Sequence, residues 1–402
     1  MEKINKIRQA VILAGGAGTR LQPFTLRNPK PLVPVNNRPF LEYLITLLKE
    51  NGIRDIVLLI GYKGEKIVEH LGDGNKFGLR IRYSYLPFKD YFGEEIKSGL
   101  RILNAHELLD EQFLLMYCDN YWPLDLERLQ KFFSAHRCEV LVTLYSNWDK
   151  STRSNTLVSG DGLIFKYDKS RKEQNLNGVD IGFMIVKKRV LSLLPTVNSK
   201  FEDEVFPKLI KERKLLGFLS DQKYYSIGDT DRVKKTAKFL KDKKVIFLDR
   251  DGVINSKAPK ADYIKSWGEF EFLPGAIEGM ELLVKEGYKI FIITNQAGIA
   301  RGLMNISDLE IIHKKMVHVL RTKGIKIDGI YYCPHGWNEG CFCRKPKPGM
   351  FYRASSEHFI DLSKSLFIGD EITDKLAGEA AGIRTLIVSK KRPLIKIVYS
   401  LS

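Results

Sequence analysis

The chain has 402 residues, 44% hydrophobic and 28% charged, with 65 Lys and Arg against 48 Asp and Glu. That length exceeds one ordinary domain, and that balance excludes a disordered or fibrous chain. The formal charge of +17 suits a nucleic-acid ligand, a solvated lysine-rich surface or attraction of small polyphosphates, but no basic stretch interleaved with aromatics and no helix-turn-helix signature supports nucleic acid.

In chain order, a basic start, Met1 to Gln9, meets the apolar run Ala10–Ala14. That run is too short for a secretory segment, and nothing later approaches the length of a membrane span. It is read as a buried strand of a cytoplasmic protein with no membrane partner. Further strands are expected at Ile56–Ile60, Phe113–Met116, Val140–Leu144 and Ile181–Val186, with helices at Phe40–Glu50 and Leu126–Ala135. Such alternation predicts an α/β fold with a mostly parallel sheet.

The first strand runs into Gly15-Gly16-Ala17-Gly18-Thr19-Arg20, and Pro29-Lys30-Pro31 follows. Glycine-rich turns after a first strand bring backbone N–H groups to phosphates. The spacing is not Gly-x-Gly-x-x-Gly, and two cations beside the cradle suit a triphosphate whose pyrophosphate must leave. The segment Leu13 to Pro34 resembles the sugar-1-phosphate nucleotidyltransferases, a likeness extending over roughly residues 8–240. It implies that Gly15, Gly16, Gly18 and Thr19 cradle nucleotide, Arg20 stabilises pyrophosphate and Lys30 the α-phosphate. Asp119 becomes a Mg²⁺ ligand; Asn177, Gly178 and Glu202 hold the sugar, and Lys169 meets its phosphate. Two departures stand out. Ser226 occupies the place of the family's second metal-binding Asp, with Asp229 as the nearest substitute, and Glu94 and Glu95 replace a glycine-rich base-reading turn.

Around Lys234–Lys244 a lysine-rich helix is expected to run into a new strand, Val245–Leu248, which places a boundary near residue 242. The expected domains are 1–242 and 243–402, both Rossmann-like. The second has strands at Ile290–Ile293, Ile330–Tyr332, Leu366–Ile368 and Thr385–Val388. Asp249-Arg250-Asp251-Gly252 follows its first strand, where two carboxylates can face one site as nucleophile and general acid/base. Thr294-Asn295 follows the second strand, where a hydroxyl can hold a phosphate oxygen. Lys345 can neutralise phosphate and nucleophile, and Asp370 can complete a Mg²⁺ site with Asp249.

The order Asp-x-Asp, Thr, Lys, Gly-Asp-x-x-x-Asp resembles the haloacid dehalogenase superfamily. The stretches Asp249–Asn255, Thr294–Gly302 and Cys343–Met350 resemble its heptose-bisphosphate and histidinol phosphatases. The resemblance implies a phosphoaspartate on Asp249, with Asp251 as acid and then base and counted with Asp249 and Asp370 at the Mg²⁺. Asn295, Gln296, Arg301 and Arg344 are expected to contact substrate.

Of five cysteines, Cys118 and Cys138 read as core, whereas Cys333, His335, Cys341 and Cys343 supply four ligands for tetrahedral Zn²⁺. A closed four-ligand site is structural, and the phosphatase subgroup carries such a zinc. Together the halves read as two steps of nucleotide-activated heptose synthesis. Heptose 1,7-bisphosphate would lose its 7-phosphate, and a nucleoside triphosphate, GTP by resemblance to heptose-1-phosphate guanylyltransferases, would supply the nucleotidyl group. The alternative is a phosphatase, on heptose bisphosphate or histidinol phosphate, with an impaired nucleotide-binding half.

Overall fold

The computed structural model describes residues 6–259 and 262–401. The chain divides into two compact units, Met1–Leu240 and Lys241–Ser402. The first is built on a seven-stranded sheet of β1 (Gln9–Ala14), β2 (Asp55–Ile60), β3 (Arg80–Tyr85), β4 (Gln112–Tyr117), β5 (Val140–Tyr145), β6 (Val179–Lys187) and β7 (Leu215–Ser220). In space the order is β7-β5-β6-β4-β1-β2-β3. Strand β6 runs antiparallel to both neighbours, while β1 is parallel to β2 and β4.

The five strands expected from apolar runs are β1, β2, β4, β5 and β6; the two that such runs do not mark, β3 and β7, are the edges of the sheet. An edge strand has one flank open to solvent and needs less apolar surface, as the partly exposed Arg80-Ile81-Arg82-Tyr83-Ser84-Tyr85 shows. On one face of the sheet Val11, Leu13, Leu115 and Val142 pack against Phe201, Val205 and Leu209 of a helix. The alternation of side chains along a strand creates that face. Helices that matter below are α1 (Phe40–Glu50), α2 (Ser98–Asn104), α3 (Phe201–Lys211) and α4 (Thr230–Phe239). Helix α4 begins and ends earlier than the Lys234–Lys244 expected, because Asp229 caps its first turn by accepting from Arg232 N at 2.9 Å.

The second unit has a five-stranded, wholly parallel sheet of β8 (Lys244–Leu248), β9 (Tyr288–Asn295), β10 (Ile327–Cys333), β11 (Leu366–Gly369) and β12 (Arg384–Ile387). Its order is β10-β9-β8-β11-β12. The chain moves outward from β8 to one side and returns to build the other, so the switch in direction falls between β8 and β11. In open α/β sheets a crevice for ligands opens there, at the carboxyl ends of the strands. Helix α5 (Ile306–Thr322) closes the core with Leu309, Ile312 and Met316 against Ile246, Leu248 and Ile292. Helix α6 (Ile372–Ala380) follows β11. Among the described residues no helix is long and apolar enough to cross a membrane.

Candidate functional site

Asp249 leaves the end of β8 with its N–H donated to Ile368 O of β11 at 2.9 Å, which ties it to the switch point. Lys345 Nζ lies 2.9 Å from Asp249 Oδ1 and 2.5 Å from Asp374 Oδ1. All three residues are buried. Burial pushes the Asp249 carboxyl well above the usual carboxylate range, against the pull of Lys345. Burial also works against the Lys345 ammonium, but Asp249 and Asp374 outweigh it and hold it charged. The neighbouring turn must be glycine: Gly252 has φ 89°, and a Cβ there would meet Asp370 Oδ2 at 2.3 Å.

Carboxylate oxygens of Asp249, Asp370 and Asp374 fall within 4.8 Å of one another, and Asp370 Oδ1 is a buried oxygen with no hydrogen-bond partner. Three hard oxygen donors with one left unsatisfied fit Mg²⁺. The Asp251 side chain, expected with Asp249 and Asp370, is not part of this cluster, and Asp374 is. The Asp251 carboxylate turns instead to Arg250 Nη2, 2.9 Å from both its oxygens, to Asn255 Nδ2 at 2.9 Å and to Gln296 Nε2 at 2.7 Å. Burial opposes its ionisation, but these donors win and hold its pKa low.

Asp249, Asp251, Thr294, Asn295, Arg344 and Lys345 line a cleft of about 570 Å³. Gln296 does not reach it: fully buried, it bridges Asp251 and the Thr294 hydroxyl, the latter at 2.9 Å, so it positions rather than contacts. Asn295 and Lys345 exchange side-chain and backbone hydrogen bonds, both at 3.1 Å. The Arg301 guanidinium stacks 5.8 Å from the Tyr263 ring and 5.3 Å from the Trp337 ring, two aromatics of the cleft wall.

Trp337 and Arg344 belong to the loop gathered by Cys333, His335, Cys341 and Cys343. Their ligand atoms lie 3.2–3.7 Å apart along four of the edges. A tetrahedron with Zn–S bonds of about 2.3 Å has edges near this length, about 3.8 Å. The donor set and its spacing fit zinc.

In the first unit, Lys30 Nζ lies 2.6 Å from Asp119 Oδ2. A Cβ on Gly18 would meet Lys30 Cβ at 2.8 Å, so glycine lets the turn close over that lysine. The exposed Arg20 stands beside Gly228, its Nη2 3.9 Å from where a Cβ on that glycine would lie. Gly15, Gly16 and Thr19 complete the turn, with Glu95 Oε1 4.0 Å from a Cβ on Gly16. Asp229 is committed to capping α4 and pairs with Arg232 at 3.2 Å. Ser226 pairs with Asn120 in a short antiparallel ladder. Among the described residues, both clusters with metal-ligand spacing lie in the second unit.

Among the residues expected to hold the sugar, Lys169 Nζ lies 3.5 Å from Glu202 Oε2, and Tyr117 O–H donates to the other oxygen of Glu202. The Asn177 side-chain amide donates to Val158 O and accepts from Val158 N, at 2.8 and 2.9 Å. Gly178 is packed beneath Leu144. A group the sequence did not single out is Asp180, half-buried, accepting from Tyr167 O–H at 3.0 Å. Burial and the Glu202 charge push it up to about 6. Only the folding of β6 toward α3 brings Asp180 and Glu202 together, so no local motif marks the pair.

The model of the nucleotidyl transferase family matches residues 9–243, and that of the polynucleotide kinase 3 phosphatases matches residues 244–386. The chain is 40% identical over 159 residues to a D-glycero-beta-D-manno-heptose-1,7-bisphosphate 7-phosphatase of Pasteurella multocida, covering 38% of this chain and 85% of that one. It is 45% identical over 145 residues to a D-glycero-alpha-D-manno-heptose-1,7-bisphosphate 7-phosphatase of Campylobacter jejuni, covering 36% and 81%. A Bacillus anthracis crystal structure, described as a candidate glucose-1-phosphate thymidylyltransferase, aligns with 58% of this chain and 95% of that one. Its TM-score is 0.51 at 21% identity, a likeness of fold alone.

Proposed function

We propose that this chain, which belongs to the nucleotidyl transferase family through residues 9–243 and to the heptose-bisphosphate phosphatases through its C-terminal unit, carries out two consecutive steps on one sugar. The C-terminal unit removes the 7-phosphate of a heptose 1,7-bisphosphate, and the N-terminal unit transfers a nucleotidyl group, guanylyl first among the four, to the 1-phosphate that remains. The carrying observation is the buried Asp249–Lys345–Asp374 group at the end of β8, opening on the cleft.

In this reading an Asp249 oxygen attacks phosphorus and the bond from phosphorus to the sugar oxygen breaks. The negative phosphate of the substrate, entering beside Asp251, raises its affinity for a proton above that of the empty site, and Asp251 gives that proton to the leaving oxygen. Asp251 then takes a proton from water, whose oxygen attacks the phosphoaspartate, releasing phosphate and restoring Asp249. Lys345 and the Thr294 hydroxyl hold the phosphoryl oxygens, and Arg301 and Arg344 suit the phosphate that is kept. Mg²⁺ held by Asp249, Asp370 and Asp374 would neutralise charge on the transferring group. Zinc on the three cysteines and His335 would pin the loop that carries Trp337 and Arg344. A reducing cytoplasm suits those thiols.

The test is incubation with heptose 1,7-bisphosphate, Mg²⁺ and each of the four ribonucleoside triphosphates, followed by ³¹P NMR. A sugar-linked diphosphate formed with one triphosphate establishes both steps and names the base. A protein that leaves heptose bisphosphate intact while cleaving histidinol phosphate overturns the assignment of substrate.

A second reading is favoured by Ser226 and by the engagement of Asp229 as a helix cap: the N-terminal unit binds nucleotide without turning it over. Pyrophosphate release from a triphosphate and heptose 1-phosphate, abolished by Lys30→Ala, rules that out.

A further inference from the structure

Between the two catalytic aspartates lies Arg250, whose side chain is wholly buried. A guanidinium there has no water to satisfy its five N–H donors, so each needs a protein acceptor. Nε and Nη2 spend theirs on Asp251, at 3.2, 2.9 and 2.9 Å. Nη1 lies 3.2 Å from Nε2 of His313, a buried residue of α5. Arginine can only donate, so His313 accepts at Nε2 and carries its own proton on Nδ1. His313 comes from a helix more than 60 residues downstream and is itself neither a residue of the cleft lining nor a member of the acidic cluster.

We propose that His313 is a positioning residue for the proton-transfer steps: by accepting from Arg250 it holds the guanidinium fork square on both oxygens of Asp251. The inference rests on the phosphatase reading above. Without the acceptor, a buried N–H is orphaned and the fork turns to find one, loosening the carboxyl that must meet the leaving oxygen and then water. Asn255 and Gln296 contact Asp251 from other directions. They restrain its place but not the tilt that the two-pronged contact sets.

Two polar substitutions separate position from mere structure. His313→Asn places its amide oxygen near the site of Nδ1, out of reach of Arg250. His313→Gln places it near the site of Nε2. With Mg²⁺ and p-nitrophenyl phosphate, whose leaving group needs no proton, the first step survives in the Asn variant. Hydrolysis of the phosphoenzyme, which needs Asp251 as base, slows about 10-fold, a fraction of the 10²–10⁴ that acid–base catalysis supplies. The expected signature is a burst of about one p-nitrophenol per enzyme followed by the slow rate, with the Gln variant restored to near the wild-type course. On heptose bisphosphate, kcat of the Asn variant falls about 10-fold. Should it not fold by circular dichroism, His313→Leu gives the same comparison. A variant without the acceptor that keeps the wild-type rate overturns the inference, and so do equally slow Asn and Gln variants without a burst. Wild-type protein that releases no phosphate from either ester overturns the phosphatase reading and this inference with it.

Discussion

The guanidinium of Arg101 lies so close against Gly15 that a Cβ on that glycine would sit 2.6 Å from Cζ. Arg101 is buried on α2 and donates to four backbone carbonyls, those of Ile60, Leu86, Pro87 and Ile96, at 3.0–3.1 Å. It thereby ties the turn after β1 to the segment 86–96, which holds the acidic departure Glu94-Glu95. Arg101→Met leaves buried acceptors without donors, and each such loss costs about 1–3 kcal/mol. The N-terminal unit of Arg101→Met should unfold at lower urea, by about 4 kcal/mol or more in all. Its KM for nucleoside triphosphate should rise as the two segments part. An unchanged urea midpoint would show that the clamp is idle.

Asp249→Asn should lower phosphate release by more than about 10³-fold, since no other group can take up the phosphoryl. Nucleotidyl transfer from heptose 1-phosphate, assayed as pyrophosphate, should persist, because the two sites lie in separate units. Loss of both activities would contradict two independent sites.

Zinc analysis of the purified protein should find one ion per chain, and Cys341→Ser should reduce it. Binding to a preformed thiolate site stabilises the folded form. A chelator should therefore lower the melting temperature of the C-terminal unit by about 2–4 °C for each kcal/mol lost. Full zinc content in a Cys333→Ser, Cys341→Ser double variant would place the metal elsewhere.

His313 also governs stability against pH. Burial first, and the neighbouring Arg250 second, push its pKa down to about 3, far below its ordinary value near 6.5. Between those values the unfolded chain binds a proton that the folded one refuses. The contribution of neutral His313 is therefore fully present above pH 6.5 and is lost as pH falls toward 3. The expected loss at pH 5 is about 2 kcal/mol. The gap in unfolding free energy between wild type and His313→Gln, measured in urea at pH 7 and pH 5, should shift against the wild type by that order. A gap independent of pH would mean that His313 takes a proton in the folded state.

What the sequence by itself determined are features that neighbouring residues build together. The apolar runs of β1, β2, β4, β5, β6 and β8 name interior strands because such strands are covered on both sides. Asp249 and Asp251, the glycine turn before Arg20, and the Cys333–Cys343 loop each lie within a few positions of sequence, so a resemblance to known families could single them out. The tertiary structure alone decided what depends on contacts between distant segments. It set β3 and β7 at the edges, where solvent relaxes the need for apolar residues. It joined Asp374 rather than the Asp251 side chain to the acidic cluster, because Arg250 draws Asp251 away. It engaged Asn177 with the Val158 backbone and brought Asp180 to Glu202. It also placed His313 behind Arg250 and Arg101 beneath Gly15. Arg101, Arg250 and His313 are buried polar groups satisfied by partners from other segments, and local pattern cannot foretell which partner the fold will bring.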